Sequence, residues 1–359
     1  MEIYISLFFL LILIGLYSDK EIITYKKKYI INTKLFLTVF SILLFLISAT
    51  RIGIGTDYHL YEVIYENSLE KFLGLGWGYE WLSQFFRLLG ADYQVLIIMN
   101  SLIFICSIIY FIFYFSDYKY ISLIVFLGTY SYFASFNIFR QSTSIALVLL
   151  ALVILNKHSK KILTGILFII SLGIHKSSII FLPFFFLKYV KFSRIFYLTI
   201  LILCLVSFFI IPESFKILFF DKALSFNEFF SQKYSGTVHV EGIARSLTNR
   251  IFYLFYWIMA IKLIINMNNI SSKNKWIIQS FLFYFIINSF FPYSNLVNRI
   301  SLFFELLAIY IIPKFISEFH SVTIRNILKI AIILVFFVRV LYVLNLNGDG
   351  VVPYKSIFW

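Results

Sequence analysis

Residues 93–115 read YQVLIIMNSLIFICSIIYFIFYF, an apolar run of 23 residues without a charged side chain. As a helix, about 20 such residues span the hydrocarbon core of a bilayer. The rest of the chain has the same character, because 61% of the 359 residues are hydrophobic, only 13% are charged, and the mean hydropathy is +0.91. This composition excludes a soluble globular protein and predicts an all-α polytopic membrane protein.

About twelve apolar stretches are predicted to be transmembrane helices. Three of them, at 142–156, 162–174 and 178–188, are short enough to be tilted, broken or re-entrant. The other nine are 1–17, 35–50, 93–115, 121–136, 195–211, 250–266, 276–291, 300–313 and 328–346. The first stretch lacks a small-residue cleavage site, so we interpret it as a span and not as a removable signal peptide. No linker divides the chain, and we expect a single integral membrane domain over 1–359.

The formal charge of +14 is distributed unevenly along the chain. When the loops are assigned to alternate faces, one face carries 18 basic and 4 acidic residues, and the other carries equal numbers of both. The positive-inside rule makes the lysine-rich face cytoplasmic and places both termini outside. The charge therefore predicts orientation, and no nucleic-acid partner is expected. Two long segments, 51–92 and 212–249, fall on the outer face, where loops on a rigid scaffold commonly carry function.

The first outer loop begins RIGIGTDYHLYE and contains several candidate site residues. Arg51 lies at the membrane edge, and Asp57 is placed to cap a helix on which Tyr58 and Tyr61 follow. Two interpretations stay open, a capping aspartate beside an interfacial tyrosine belt, or a polar site at the outer leaflet. Further along, 78–93 has the pattern of an amphipathic helix on the membrane surface, with Tyr79, Leu82 and Phe86 on one stripe.

Polar residues also interrupt the apolar stretches at two outer turns. Arg140 and Gln141 fall between two apolar runs, where arginine either extends to the lipid headgroups or faces a cavity between helices. His175 follows in a turn rich in serine, as either a hydrogen-bonded structural residue or part of a polar pocket. Neither Cys106 nor Cys204 is placed for a disulfide or a metal site, and we predict no metal and no cofactor.

Arginine is common on the predicted outer face, whereas the cytoplasmic loops use mostly lysine. The guanidinium fork binds phosphate through two parallel hydrogen bonds, which the lysine ammonium cannot do. An outer cavity holding several arginines would suit a lipid-linked diphosphate sugar, because diphosphate leaves readily when its charge is stabilised. We assign Asp57, His175 and Arg140 to the catalytic step, with Asp57 or His175 as the base. The predicted substrate-binding residues are Arg51, Tyr58, Tyr61, Gln141, Arg245, Arg250, Asn295 and Arg299.

Four stretches resemble the EpsG family of bacterial exopolysaccharide and O-antigen polymerases, often called Wzy-type. They are RIGIGTDYHLY at 51–61, IFRQSTSIAL at 138–147, GIHKSS at 173–178 and NRISLFFELLAIYIIP at 298–313. Residues matching the family pattern are Arg51, Asp57, Tyr58, Tyr61, Arg140, Gln141, His175 and Arg299, whereas Arg245, Arg250 and Asn295 are chosen only by placement. The resemblance implies a GT-C-like polymerase architecture in the bacterial plasma membrane, with the active site facing the periplasm or cell exterior.

The resemblance also implies a reaction and its partners. A glycosyltransferase of this type polymerises undecaprenyl-diphosphate-linked oligosaccharide repeats, which serve as both donor and acceptor, into O-antigen, capsule or exopolysaccharide. A chain-length regulator and a flippase would act in the same pathway. The alternatives are a flippase or exporter for the same lipid-linked glycan, or another polyprenyl-phosphate-dependent glycosyltransferase. A flippase usually has related halves, which this sequence does not show, so catalysis is favoured.

Overall fold

The computed structural model describes residues 1–18, 33–70, 76–190, 192–225, 246–272 and 274–358. Within these ranges all regular elements are helical, and one isolated β-bridge joins Arg51 to Ser356. The predicted all-α class is therefore confirmed. The contacts divide the chain into two compact units, of which the first is Met1–Phe185 with Phe319–Trp359 and the second is Phe186–Glu318.

The first unit contains ten α-helices in the described residues. They are α1 Glu2–Ser18, α2 Thr33–Ala49, α3 Tyr58–Glu66, α4 Trp77–Leu88, α5 Gln94–Phe115, α6 Lys119–Gly128, α7 Ser131–Ala134, α8 Phe139–Val153, α9 Lys161–Ile174 and, near the end of the chain, α16 Val322–Leu346. A π-helical turn, Ile154–His158, extends α8, and the 3-10 helix Lys176–Phe185 follows α9. The 93–115 stretch thus forms one helix, as predicted.

Helix α8 lies at the centre of the first unit, between α5 and α9. Its first two turns are rich in small hydroxyl residues, which let neighbouring backbones approach closely and hydrogen-bond across helices. Thr143 donates a 2.7 Å hydrogen bond to the amide oxygen of Asn100 on α5. Ser144 donates to the carbonyl of Ser171 on α9 and also contacts the hydroxyl of Ser178. These bonds hold the start of α8 between two neighbouring helices.

Side-chain contacts sort the helix ends of the first unit into two groups. At one end, Tyr4 at the start of α1 donates to the carbonyl of Val351, which follows α16, and Tyr354 donates to Ile47 near the end of α2. At the other end, the hydroxyl of Tyr110 on α5 lies 2.9 Å from His158. These contacts group the start of α1 with the ends of α2 and α16, and the end of α5 with the π-helical turn after α8.

The second unit contains six α-helices among the described residues. They are α10 Arg194–Ile210, α11 Glu213–Ser225, α12 Leu247–Ile265, α13 Lys275–Phe290, α14 Asn295–Glu305 and α15 Ala308–Ser317. Short 3-10 helices lie at Leu187–Tyr189 and Met267–Asn269. Helix α10 packs against α12 and α13, and the hydroxyl of Ser207 donates to the carbonyl of Ser289 at their contact.

Five helices in the described residues are long and apolar enough to cross a membrane. They are Gln94–Phe115, Phe139–His158, Leu247–Ile265, Val297–Ser317 and Val322–Leu346. A sixth span results if Arg194–Ile210 and Glu213–Phe220, which are bent by 108°, count as one. These spans confirm a polytopic membrane protein. The other apolar helices are shorter, so the count of twelve spans stays a prediction, as does the GT-C-like architecture.

Two predicted spans contain breaks. The stretch 121–136 is divided because α6 ends at Gly128 and Tyr130 adopts a left-handed conformation, with φ at 66°. The stretch 300–313 lies within the span Val297–Ser317, in which a short turn separates the end of α14 at Glu305 from the start of α15 at Ala308. Both segments are apolar on either side of the break, so hydropathy alone does not reveal the interruption.

Candidate functional site

Helix α3 turns three tyrosines toward the protein interior. It begins at Tyr58, and the spacing of Tyr58, Tyr61 and Tyr65 places their side chains on one helical face. All three are buried, in a cluster that also contains Tyr79 of α4 and Phe139 of α8. The sequence predicted a helix here and tyrosines along it, and the structure confirms the helix.

The guanidinium of Arg140 packs against two adjoining rings of this cluster, those of Tyr61 and Tyr79. Its central carbon is 5.1 Å from the centroid of the Tyr61 ring and 5.2 Å from that of Tyr79. At these distances the face of each ring attracts the cation, a contribution of about 0.5–1 kcal/mol at exposed sites and more where water is excluded. Arg140 is only partly buried, so the guanidinium is held in place yet reachable. We call Arg140, Tyr61 and Tyr79 the arginine cradle.

The position of Arg140 in its helix adds to this argument. It is the second residue of α8, where the positive end of the helix dipole disfavours a cation. Helix stability therefore does not account for arginine at this position. The cation packs on aromatic rings beside the N–H groups of a helix start, and such N–H groups can bind an anionic ligand.

Tyr79 contributes a neutral phenol to the cradle. Burial raises the pKa of the Tyr79 hydroxyl, and the nearby Arg140 charge opposes this rise in part. The phenol is therefore protonated at neutral pH and acts as an aromatic wall and hydrogen-bonding group, not as a base.

Asp57 occupies the N-cap position of α3, one residue before Tyr58. Its side chain makes no capping hydrogen bond, although its carbonyl accepts the Tyr61 amide at 3.1 Å. The helix start predicted at this position is confirmed. Tyr58 packs edge-on against Tyr93, with ring centroids 5.3 Å apart. Next to it, His59 is exposed and pairs with Glu62 at 3.0 Å.

His175 is the C-cap residue that follows helix α9, and its Nδ1 lies 2.6 Å from the hydroxyl of Ser177. This end of α9 packs against the start of α4, the helix that carries Tyr79. A Cβ on Gly76 would lie 2.6 Å from the carbonyl oxygen of Gly173, so the two backbones touch. His175 is thus connected to the cradle through α4. Gln141 is buried at the start of α8.

Substituting Gly76 with alanine is expected to loosen the packing of α4 on α9 and to destabilise the protein. Gly76 has φ at +144°, which side-chain-bearing residues rarely adopt, and its Cβ would collide with the α9 backbone. We expect Gly76→Ala to lower the free energy of unfolding by about 1–3 kcal/mol, measured by chemical denaturation in detergent. The matched control is Gly90→Ala, which has φ at +73° and no neighbour within 4 Å. Equal destabilisation by the two variants would contradict the contact.

Arg51 is enclosed, with only 2% of its surface exposed. One terminal nitrogen donates to the carbonyl of Ser48 at 2.5 Å and, at longer range, to the hydroxyls of Ser48 and Ser101. The guanidinium lies 4.6 Å from the centroid of the Phe136 ring. Arg51 therefore belongs to an interior polar cluster beside the arginine cradle.

The last residues of the described chain cover the first outer loop. Backbone hydrogen bonds join Ile52 to Lys355, Gly55 to Gly350, and Ile357 to Thr50. The side-chain amide of Asn137 donates to the Asp349 carboxylate at 2.6 Å and to the Asp349 carbonyl at 3.0 Å. We call residues 349–357 the C-terminal strap. It joins the loop that carries Asp57 to the turn that precedes Arg140.

The remaining predicted site residues belong to the second unit. Arg250, in the first turn of α12, and Arg299, in α14, both have exposed side chains. Asn295 begins α14, but its side chain and all of Arg245 lie outside the described residues. The structure thus joins Tyr61 to Arg140 directly and places Asp57, His175, Arg51, Tyr58 and Gln141 in the same unit.

Three contributors to this region were not predicted as site residues. Tyr79 was predicted only as part of an amphipathic stripe, whereas Asn137 and Asp349 were not singled out. The NGDG sequence at 347–350 is a strong turn signal, but a turn signal does not name the partner of the segment that follows. In the part of the chain that the structure describes, no three His, Cys, Asp or Glu side chains are grouped as a metal site requires.

Comparisons with known proteins agree with the resemblance seen in the sequence. The model of the EpsG family matches residues 34–356. No curated protein and no solved structure matches the chain. The matched range includes the arginine cradle, Arg51, His175 and most of the C-terminal strap. Because it covers nearly the whole chain, the protein belongs to the EpsG family.

Proposed function

We propose that the protein is a polysaccharide polymerase, a glycosyltransferase that joins lipid-linked oligosaccharide repeat units at the outer face of the bacterial plasma membrane. The observation that carries this proposal is the arginine cradle in a membrane protein of the EpsG family. A guanidinium binds diphosphate through two parallel hydrogen bonds, and aromatic walls suit the apolar faces of sugar rings.

The proposed reaction is a displacement at the anomeric carbon of the donor. A hydroxyl oxygen of the acceptor glycan attacks that carbon, and the bond from the carbon to the diphosphate oxygen breaks. The diphosphate leaves on its polyprenyl lipid with the bonding electron pair, and Arg140 stabilises its charge. The hydroxyl proton passes to a base, for which Asp57 and His175 are the candidates. We infer undecaprenyl diphosphate as the lipid carrier.

The remaining predicted residues have supporting roles in this proposal. Tyr58, Tyr61 and Gln141 shape the wall of the donor site around Arg140. Arg250 and Arg299 are exposed and suited to long-range attraction of anionic lipid-linked substrate. Arg245 and Asn295 keep the substrate-binding roles predicted from the sequence.

Deleting the gene is expected to remove long glycan chains while single repeat units still reach the cell surface. Gel electrophoresis of the surface glycan measures the ladder of chain lengths, and expressing the intact gene should restore it. Loss of every surface repeat unit, with lipid-linked units retained in the cytoplasmic leaflet, would support a flippase instead.

The identity of the base can be tested in purified protein supplied with lipid-linked repeat units. If Asp57 accepts the proton, Asp57→Asn should lower the initial rate by about 10²–10⁴-fold while His175→Gln retains most of it. The reverse pattern assigns the base to His175. Retention of activity by both single variants would remove both residues from the proton-transfer step.

A further inference from the structure

The strongest unexplained charge in the described chain is the enclosed guanidinium of Arg51. Its hydrogen-bond partners are the Ser48 carbonyl and the hydroxyls of Ser48 and Ser101, all of them neutral. Its Nε atom is buried without a hydrogen-bond partner among the described residues. An isolated buried charge costs several kcal/mol even after the protein relaxes around it.

No carboxylate offsets this charge in the part of the chain that the structure describes. The ion pairs found there involve other cations, and the groups that interact electrostatically with Arg51 are tyrosine phenols, which are neutral at physiological pH. Burial lowers the pKa of Arg51, because the charged form of the side chain is less stable away from water. The site therefore favours a negative ion.

A small cavity lies beside this guanidinium. Its polar lining comes from Ser48 on α2, Asn100 and Ser101 on α5, Ser135, and Ser142 and Thr143 on α8. Thr143 and Ser135 donate their hydroxyl hydrogens to Asn100 and to the Tyr132 carbonyl, so the donors left for a small anion are Arg51, the Asn100 amide and the other serine hydroxyls. A lining without carboxylates disfavours a metal cation. The volume is about 10 Å³, close to the room that one water molecule requires.

Size distinguishes between the possible anions. A phosphate or diphosphate group carries several oxygens around each phosphorus and needs far more room than a single water-sized sphere. A halide is somewhat larger than water but is among the smallest inorganic anions, so it suits this space best, and unlike water it neutralises the charge of Arg51. We propose that this cavity binds a halide ion, chloride in the cell, as the counter-ion of Arg51.

The location of this halide site determines its role. Its lining joins α2, α5 and α8, and it includes Phe139, the neighbour of Arg140. A bound ion would hold the start of α8 against two other helices and so keep Arg140 in place against Tyr61 and Tyr79. Arg51 would then stabilise the scaffold, whereas Arg140 contacts the substrate phosphate. This inference does not depend on which reaction the protein performs.

Thermal unfolding of the purified full-length protein tests the proposal. At constant ionic strength, replacing sodium gluconate with sodium chloride should raise the unfolding midpoint, by a few degrees for each tenfold increase in chloride above the dissociation constant. Sodium bromide should do the same. In parallel, ³⁵Cl NMR should show line broadening that added bromide reverses. Equal midpoints in gluconate and chloride, with no reversible broadening, would overturn the proposal and leave an ordered water as the occupant.

Variants then place the ion at Arg51. Arg51→Gln should abolish the chloride response, and the exposed arginine variant Arg250→Gln should retain it. If Arg51→Gln does not fold, Ser101→Ala removes one hydroxyl of the lining and should raise the chloride dissociation constant, measured by ³⁵Cl NMR titration, several-fold. A full chloride response in Arg51→Gln, or an unchanged dissociation constant in Ser101→Ala, would refute this location.

Discussion

Replacing Arg140 with lysine is expected to lower the rate of chain extension by about 100-fold or more. Lysine keeps the positive charge but loses the planar fork, which can bind phosphate through two hydrogen bonds and which packs against the rings of Tyr61 and Tyr79. The initial rate is measured in proteoliposomes supplied with lipid-linked repeat units, with product lengths resolved on a gel.

A matched control separates this effect from a general loss of positive charge. Arg87, in the last turn of α4, is exposed, and Arg87→Lys should leave the rate within about twofold because exposed charges contribute little. Near-normal chain lengths in Arg140→Lys would contradict a phosphate contact and favour an arginine that extends to the lipid headgroups.

The two tyrosines of the cradle provide a second check on the same prediction. Tyr79→Phe keeps the ring over the guanidinium and should retain most of the activity, whereas Tyr79→Leu removes the ring and should reduce it. The same comparison applies to Tyr61. If phenylalanine and leucine have equal effects at both positions, the aromatic face is not what positions Arg140.

Replacing Asp349 with alanine is expected to reduce chain extension by about tenfold while leaving membrane insertion intact. The carboxylate accepts the Asn137 amide at 2.6 Å, and a hydrogen bond to a charged group contributes about 1.5–3 kcal/mol. Without it, the C-terminal strap keeps its backbone bonds to the loop of Asp57, but only the bond from Asn137 to the Asp349 carbonyl still joins it to the turn before Arg140. The rate is measured in proteoliposomes after confirming equal protein content by immunoblot.

The control for this variant comes from the same segment. Lys355 contributes its backbone carbonyl to the strap while the residue itself is exposed, so Lys355→Ala should retain normal activity. A double-mutant cycle with Asn137→Ala should give strongly non-additive losses, because each single variant removes the same bond. Additive losses from Asp349→Ala and Asn137→Ala would contradict their pairing.

Local sequence patterns correctly predicted several elements near the site. The uninterrupted apolar run at 93–115 became Gln94–Phe115, and the helix expected after Asp57 begins at Tyr58. The helix expected around Tyr79, Leu82 and Phe86 also forms, although this stripe packs on the buried cluster of the protein instead of on the membrane surface as predicted. In each case the pattern of neighbouring residues is sufficient to predict the helix, because the apolar residues of a helix must be buried away from water.

Patterns of this kind did not predict where long apolar segments break. The stretch 121–136 has no charge or proline to mark its interruption, yet α6 ends at Gly128. A Cβ on Gly128 would lie 2.2 Å from the Phe336 ring, so this glycine admits a close contact with α16. Glycine is required at this position because Phe336, about 200 residues further along the chain, occupies the space that a side chain would need.

The sequence by itself determined that this is a polytopic helical membrane protein of the EpsG family, and it predicted candidate site residues that remain to be tested by mutation. Hydropathy and helical period are sums over neighbouring residues, so they place segments along the chain. Only the tertiary structure decided that Arg140 packs against Tyr61 and Tyr79, that Arg51 is enclosed, and that Asp349 holds Asn137. Those contacts join residues up to 212 positions apart. Their energies depend on which helices pack together, a property that no local pattern contains.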